Sequence, residues 1–127
     1  MAFQRVFIAD DSLAFVDSAR RILALEPEVL FVGHAQSACA ALEQIVTLHP
    51  DIVLLSVNLP GSDGLAFVRR VKALRDAPYV IVLALDDLED YRTAAISAGA
   101  DGFVAKTRFV VQMASAIVAI DAKLWAV

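Results

Sequence analysis

One cysteine, Cys39, is too few for an intrachain disulfide, which points to a reducing compartment, taken here as the cytoplasm. Five glycines and four prolines in 127 residues exclude a linker-rich or low-complexity chain. Positive charge is not in excess. Eleven Lys and Arg against 15 Asp and Glu give a formal net charge of -4, which excludes a broad basic face for nucleic acid. No apolar run reaches the roughly 18 residues of a membrane span. Met1-Ala2-Phe3-Gln4-Arg5 carries no long apolar segment before Asp10, so no signal peptide is expected. His34 and His49 stand alone, with no His/Cys spacing of a metal cluster. What remains is a strongly apolar chain, 59% hydrophobic, expected to form one domain over residues 1–127.

Short apolar runs alternate with helical patterns. Val6 to Ala9, Val29 to Gly33, Asp51 to Ser56, Tyr79 to Ala84 and Gly102 to Ala105 read as strands. Ser12 is a plausible N-cap for a helix to about Leu25, where Glu26-Pro27 ends it. Ser37 to Leu48 reads as a second helix, and Asp63 can cap a third, to about Arg75. Asp86-Asp87 precede a fourth to Ala98, with Gly99 as its C′ residue, and a fifth is expected from about Phe109 to Lys123. Five βα units in so short a chain imply an α/β fold, a three-layer sandwich with a parallel sheet. The flavodoxin-like order 2-1-3-4-5 places its crevice at the carboxyl ends of the first and third strands. Asp10-Asp11, Ser56, Ala84 and Lys106 should therefore surround one site although they span most of the sequence.

Two adjacent carboxylates at a strand end, Asp10 and Asp11, suit a hard cation such as Mg²⁺. They equally suit a helix N-terminus, where acids are stabilising. Lys106 is either a surface lysine or, facing those acids across the crevice, an ion-pair partner or anion ligand. Asp51 lies five strand residues from Ser56, roughly 16 Å away at the other end of the strand. Asp63, Asp86 and Asp87 are read as turn and helix-cap residues.

Three ordered segments carry a family resemblance: Phe7-Ile8-Ala9-Asp10-Asp11-Ser12, Pro50 to Gly64, and Ala98 through Lys106. Together they resemble the CheY-like receiver domains of response regulators over essentially the whole chain. The resemblance is nearest to receivers that precede helix-turn-helix output domains (the NarL/FixJ type), through Val32-Gly33-His34-Ala35 and Gly102-Phe103-Val104-Ala105-Lys106. It implies roles by position. Asp10 and Asp11 match the metal-binding acids, and Asn58 matches the residue whose backbone carbonyl completes that site. Lys106 matches the lysine that contacts the phosphoryl group, and Phe103 the aromatic that changes rotamer on activation.

Two positions depart from the pattern. Ser56 stands where the family carries its acceptor aspartate, and Ala84 where it carries a threonine or serine that follows the phosphoryl group. A serine hydroxyl is not ionised at neutral pH without an adjacent base. Its oxygen falls on the order of 1 Å short of a carboxylate's reach, a misplacement that can cost roughly 10²-fold in rate. Losing the carboxylate also lowers the pocket's formal charge from about -2 to about -1, so Mg²⁺ should bind weakly at best and no cofactor is required.

The expectation is a non-enzymatic, degenerate receiver (a pseudo-receiver) of a two-component or phosphorelay pathway, acting through protein partners. One alternative is an active phosphoacceptor that uses Ser56 or a loop aspartate. Another is the receiver part of a DNA-binding regulator; no helix-turn-helix follows the fifth helix, so this domain is expected to touch neither nucleic acid nor membrane. In the last helix Met113, Ile117, Ile120 and Leu124 form one apolar stripe, and Val111, Val118, Ala122 and Trp125 form a second on nearly the opposite side. The second stripe is either scattered surface apolars or a partner surface, such as that of a homodimer.

Overall fold

A computed structural model describes residues 4–61, 63–86 and 88–109. The strands are β1 (Gln4–Ala9), β2 (Val29–Ala35), β3 (Ile52–Ser56), β4 (Tyr79–Ala84) and β5 (Gly102–Ala105). Between them lie α1 (Leu13–Leu23), α2 (Ala38–Leu48), α3 (Gly64–Lys72) and α4 (Glu89–Ser97), and a 3₁₀ turn, Lys106–Arg108, follows β5. All pairings are parallel, in the order β2-β1-β3-β4-β5. The predicted flavodoxin-like topology is the one observed.

The continuous apolar runs follow from burial on both faces. In β3, Val53 and Leu55 enter a cluster with Ile45 of α2 and Phe67, Val68 and Val71 of α3. Ile52 and Leu54 point the other way, into a cluster with Val16, Ala19 and Leu23 of α1 and Phe109. β4 divides likewise, Val80 and Val82 against Ile81 and Leu83. Period-two side-chain alternation thus feeds two cores from one strand.

Helix starts follow hydroxyl and carboxylate caps. Ser12 Oγ accepts from Phe15 N–H, Ser37 Oγ from Ala40 N–H, and Asp63 Oδ1 from Leu65 N–H. Helix ends fall short of the sequence reading: α1 stops at Leu23 and α3 at Lys72. The fourth helix starts differently too. Its N-cap is Leu88, with no side-chain cap, so Asp86 does not cap it, while Asp87 lies outside the described residues. Glu89 and Asp90 instead place negative charge in its first turn. Gly99, at φ 105°, ends α4 as the sequence suggested: its N–H donates to Ile96 O and that of Ala100 to Ala95 O, the paired bonds of a Schellman motif.

The loop after β3 is folded tightly against α3. A Cβ added at Gly64 would lie 2.2 Å from the Val57 carbonyl oxygen. Only glycine lets the start of α3 approach the backbone that leaves Ser56. The last-helix stripes, with Val111, Val118, Ala122 and Trp125, lie outside the described residues.

Candidate functional site

The sheet register builds the site. Ala9 pairs with Leu55, Ser56 with Leu83, and Ala84 with Ala105. The next residue of each strand exit therefore brings Asp10 beside Ser56, with Lys106 just past β5. Asp10 is fully buried. Its Oδ1 accepts the Ser12 N–H at 2.9 Å, tying the carboxylate to the start of α1. Its Oδ2 lies 2.5 Å from Lys106 Nζ in an ion pair, with no aligned hydrogen bond among the described residues. Lys106 Nζ also sits 4.6 Å from the centroid of the Phe15 ring. Its ammonium is held between a carboxylate and an aromatic face, both favourable for a cation.

Asp11 does not share this environment. It is exposed, and its backbone carbonyl accepts from Gln36 Nε2. Adjacent residues leaving a strand diverge, so a pair read as one unit in sequence becomes one buried and one solvated acid.

Ser56 is buried, and its Oγ accepts the Asn58 N–H at 3.3 Å. That bond satisfies the loop backbone and draws on an oxygen lone pair. Asn58 itself is exposed. Ala84 is buried in the core on the α2–α4 side and presents only a methyl group. Phe103 is buried in the same cluster, with the Arg92 guanidinium 4.9 Å from its ring centroid. Asp51 is at the far end of β3, where Oδ2 accepts the Arg5 N–H.

Both Asp10 oxygens are engaged, Asp11 is turned to solvent, and Ser56 supplies no charge. Among the described residues no three carboxylate, imidazole or thiol groups converge on a point.

Residues 6–118 match the family model for the response regulator receiver domain. The chain belongs to the response-regulator receiver family. A protein-glutamate methylesterase/protein-glutamine glutaminase of Xanthomonas campestris is 35% identical over 105 residues, which are 82% of this chain and 29% of that protein. A LuxR-family two-component response regulator from Aurantimonas superposes with a TM-score of 0.87 at 26% identity, covering 96% of this chain and 87% of that one. The signal receiver domain of the putative response regulator NarL from Mycobacterium tuberculosis gives 0.79 at 30% identity, covering 94% and 98%. This receiver spans under a third of the methylesterase relative, whose catalytic name belongs to that whole protein. It is a receiver domain of two-component signalling.

Several contacts in the receiver were not anticipated from sequence. Phe15 lies in the first turn of α1 and reads only as a helix apolar, yet it packs edge-on to Phe109 with ring centroids 5.2 Å apart and faces Lys106. Arg92 over Phe103 joins α4 to β5. Lys72, Asp101 and the β4 backbone form a further network at the opposite end of the sheet. These pairings are 6 to 94 residues apart in sequence. Among the described residues, no helix is long and apolar enough to cross a membrane.

Proposed function

We propose that this receiver signals without accepting a phosphoryl group, as a pseudo-receiver whose state is set by protein partners. The observation that carries this reading is Ser56: a buried alcohol at the carboxyl end of β3, accepting a backbone N–H, beside an Asp10 already paired with Lys106. A general base must be free to take the hydroxyl proton. Asp10, the nearest acid by register, is held by a cation and a backbone N–H. Ala84 removes the hydroxyl that the family resemblance assigns to sensing the phosphoryl group. Mg²⁺ binding is weak at best and no cofactor is required.

Exposed Leu85, Leu88 and Tyr91 around the start of α4 support a contact surface. The test is incubation with acetyl phosphate and Mg²⁺ followed by intact-mass measurement. No added phosphoryl group is expected. A stoichiometric, hydroxylamine-labile adduct would defeat the reading, and a hydroxylamine-stable adduct mapped to Ser56 would establish the alcohol as an active acceptor.

The receiver works in the cytoplasm, and any output activity, DNA binding included, resides in other domains or partners. The second apolar stripe at Val111, Val118, Ala122 and Trp125 is the proposed homodimer surface. Trp125→Ala with Val118→Ser is expected to shift a dimer to monomer in sedimentation; an unchanged mass counts against that surface.

A further inference from the structure

The amino-terminal end of the sheet, opposite Ser56, carries a cavity of about 230 Å³ between the end of α2 and the α3–β4 connection. Its apolar wall includes Ile45, Val46, Leu74 and Pro78, and its rim carries Arg75 and Asp76. Val46 is half exposed and contributes its surface to this opening.

The cations around it are distinctive. Most other positive groups among the described residues are engaged: Arg20 and Arg21 with Asp17, Lys72 with Asp101, Lys106 with Asp10, Arg5 with the His49 carbonyl, and Arg92 over Phe103. Arg69, Arg70, Arg75 and Arg108 have no ionic or hydrogen-bond partner among the described residues. Three of these four lie on α3 and the turn that follows it. Arg69 and Arg70 are exposed on α3, and Arg70 lies one turn before Leu74 in the cavity wall. The helix C-terminus favours basic residues in its last turn, which accounts for Arg69 and Arg70 in part. Arg75 lies beyond the helix and gains little from its dipole.

We infer that this groove is a docking surface for an acidic protein segment that inserts one apolar side chain between α2 and the α3–β4 connection. The apolar wall takes the side chain, and Arg70 and Arg75 take the flanking carboxylates. Asp76 on the rim opposes acids on its own side, and the two arginines outnumber it. A concave opening with forked cations beside it suits a peptide carboxylate, which arginine binds in a bidentate fashion. The surface gives the partner-driven reading a site, and rests on that reading only for its use in signalling. Acetyl phosphate labelling tests the silent acceptor separately, so either can fail alone.

The test is titration of the ¹⁵N-labelled full chain with the peptide acetyl-Glu-Asp-Leu-Glu-Asp-amide. Saturable amide shifts are expected at Val46, Leu74 and Arg75. Binding should weaken at least tenfold when glycine replaces the peptide leucine, and at least tenfold in the Arg70→Gln, Arg75→Gln double variant. Both arginines are exposed, so the variant's spectrum should otherwise match the parent. Equal binding of the glycine peptide, unchanged affinity in the variant, or no shifts at the groove would overturn the inference. So would tighter binding to phosphatidylglycerol vesicles that depends on the same two arginines, since that would make the surface a lipid site.

Discussion

Asp101→Ala should be among the most destabilising single changes in this receiver, at about 2–4 kcal/mol. Asp101 Oδ2 accepts both the Lys72 ammonium and the Val80 N–H, each at 2.9 Å. Lys72 Nζ donates also to the Pro78 carbonyl, and the Asp101 N–H donates to Val80 O. One carboxylate thus ties the last turn of α3 to the first residues of β4 and the start of β5. Its side chain is only 16% exposed, so water replaces these bonds poorly. Alanine would strand a backbone N–H and leave Lys72 without its anion. Lys72→Met should cost less, because Asp101 keeps the Val80 N–H and the ammonium is the more exposed partner. Urea unfolding of the two variants and the parent measures both effects. Equal, small losses in the two variants would mean the carboxylate is not the centre of this brace.

The second large effect is chemical. Ser56→Asp should convert a protein that acetyl phosphate leaves unlabelled into one that carries a single hydroxylamine-labile phosphoryl group. The substitution places an ionised oxygen about 1 Å further into the crevice, where a phosphorus atom can be reached. The carboxylate oxygen forms the new bond to phosphorus, and acetate leaves. A third acid near Asp10 is costly without a counter-charge, so both labelling and thermal stability of the variant should depend on Mg²⁺ far more than in the parent. Labelling by itself should leave Phe103 buried, because Ala84 still offers no hydroxyl. Addition of Ala84→Thr should then let labelling alter the Phe103 signals, read by ¹⁹F-labelled phenylalanine. If Ser56→Asp remains unlabelled, the defect lies in the Asp10–Lys106 pair and the closed loop as well as in residue 56. If the single variant already switches Phe103, the threonine position is not needed here.

Element type was legible wherever local chemistry decides it. The apolar run Ile52–Leu55 could only be a strand buried twice, Ser12 and Asp63 are caps, and Gly99 is the left-handed end of α4. The start of α4 differs from the sequence expectation because Asp86 resembles a cap while the chain turns into helix two residues later, at Leu88. The pairing of Lys106 with an acid was foreseen as one option; which acid takes it was not. Asp10 and Asp11 are chemically identical and adjacent, and only the direction of the chain leaving β1 makes one a buried partner and the other a solvated residue.

By itself the sequence determined the order of the elements, the parallel sheet, and the absence of a carboxylate at residue 56, because these follow from residue type and local spacing. Tertiary structure alone decided what Asp10 holds, what Phe15 and Arg92 cover, and where exposed arginines meet an apolar groove. Those are encounters between side chains distant along the chain, and their geometry is set by strand register and helix docking, to which no short window of sequence has access.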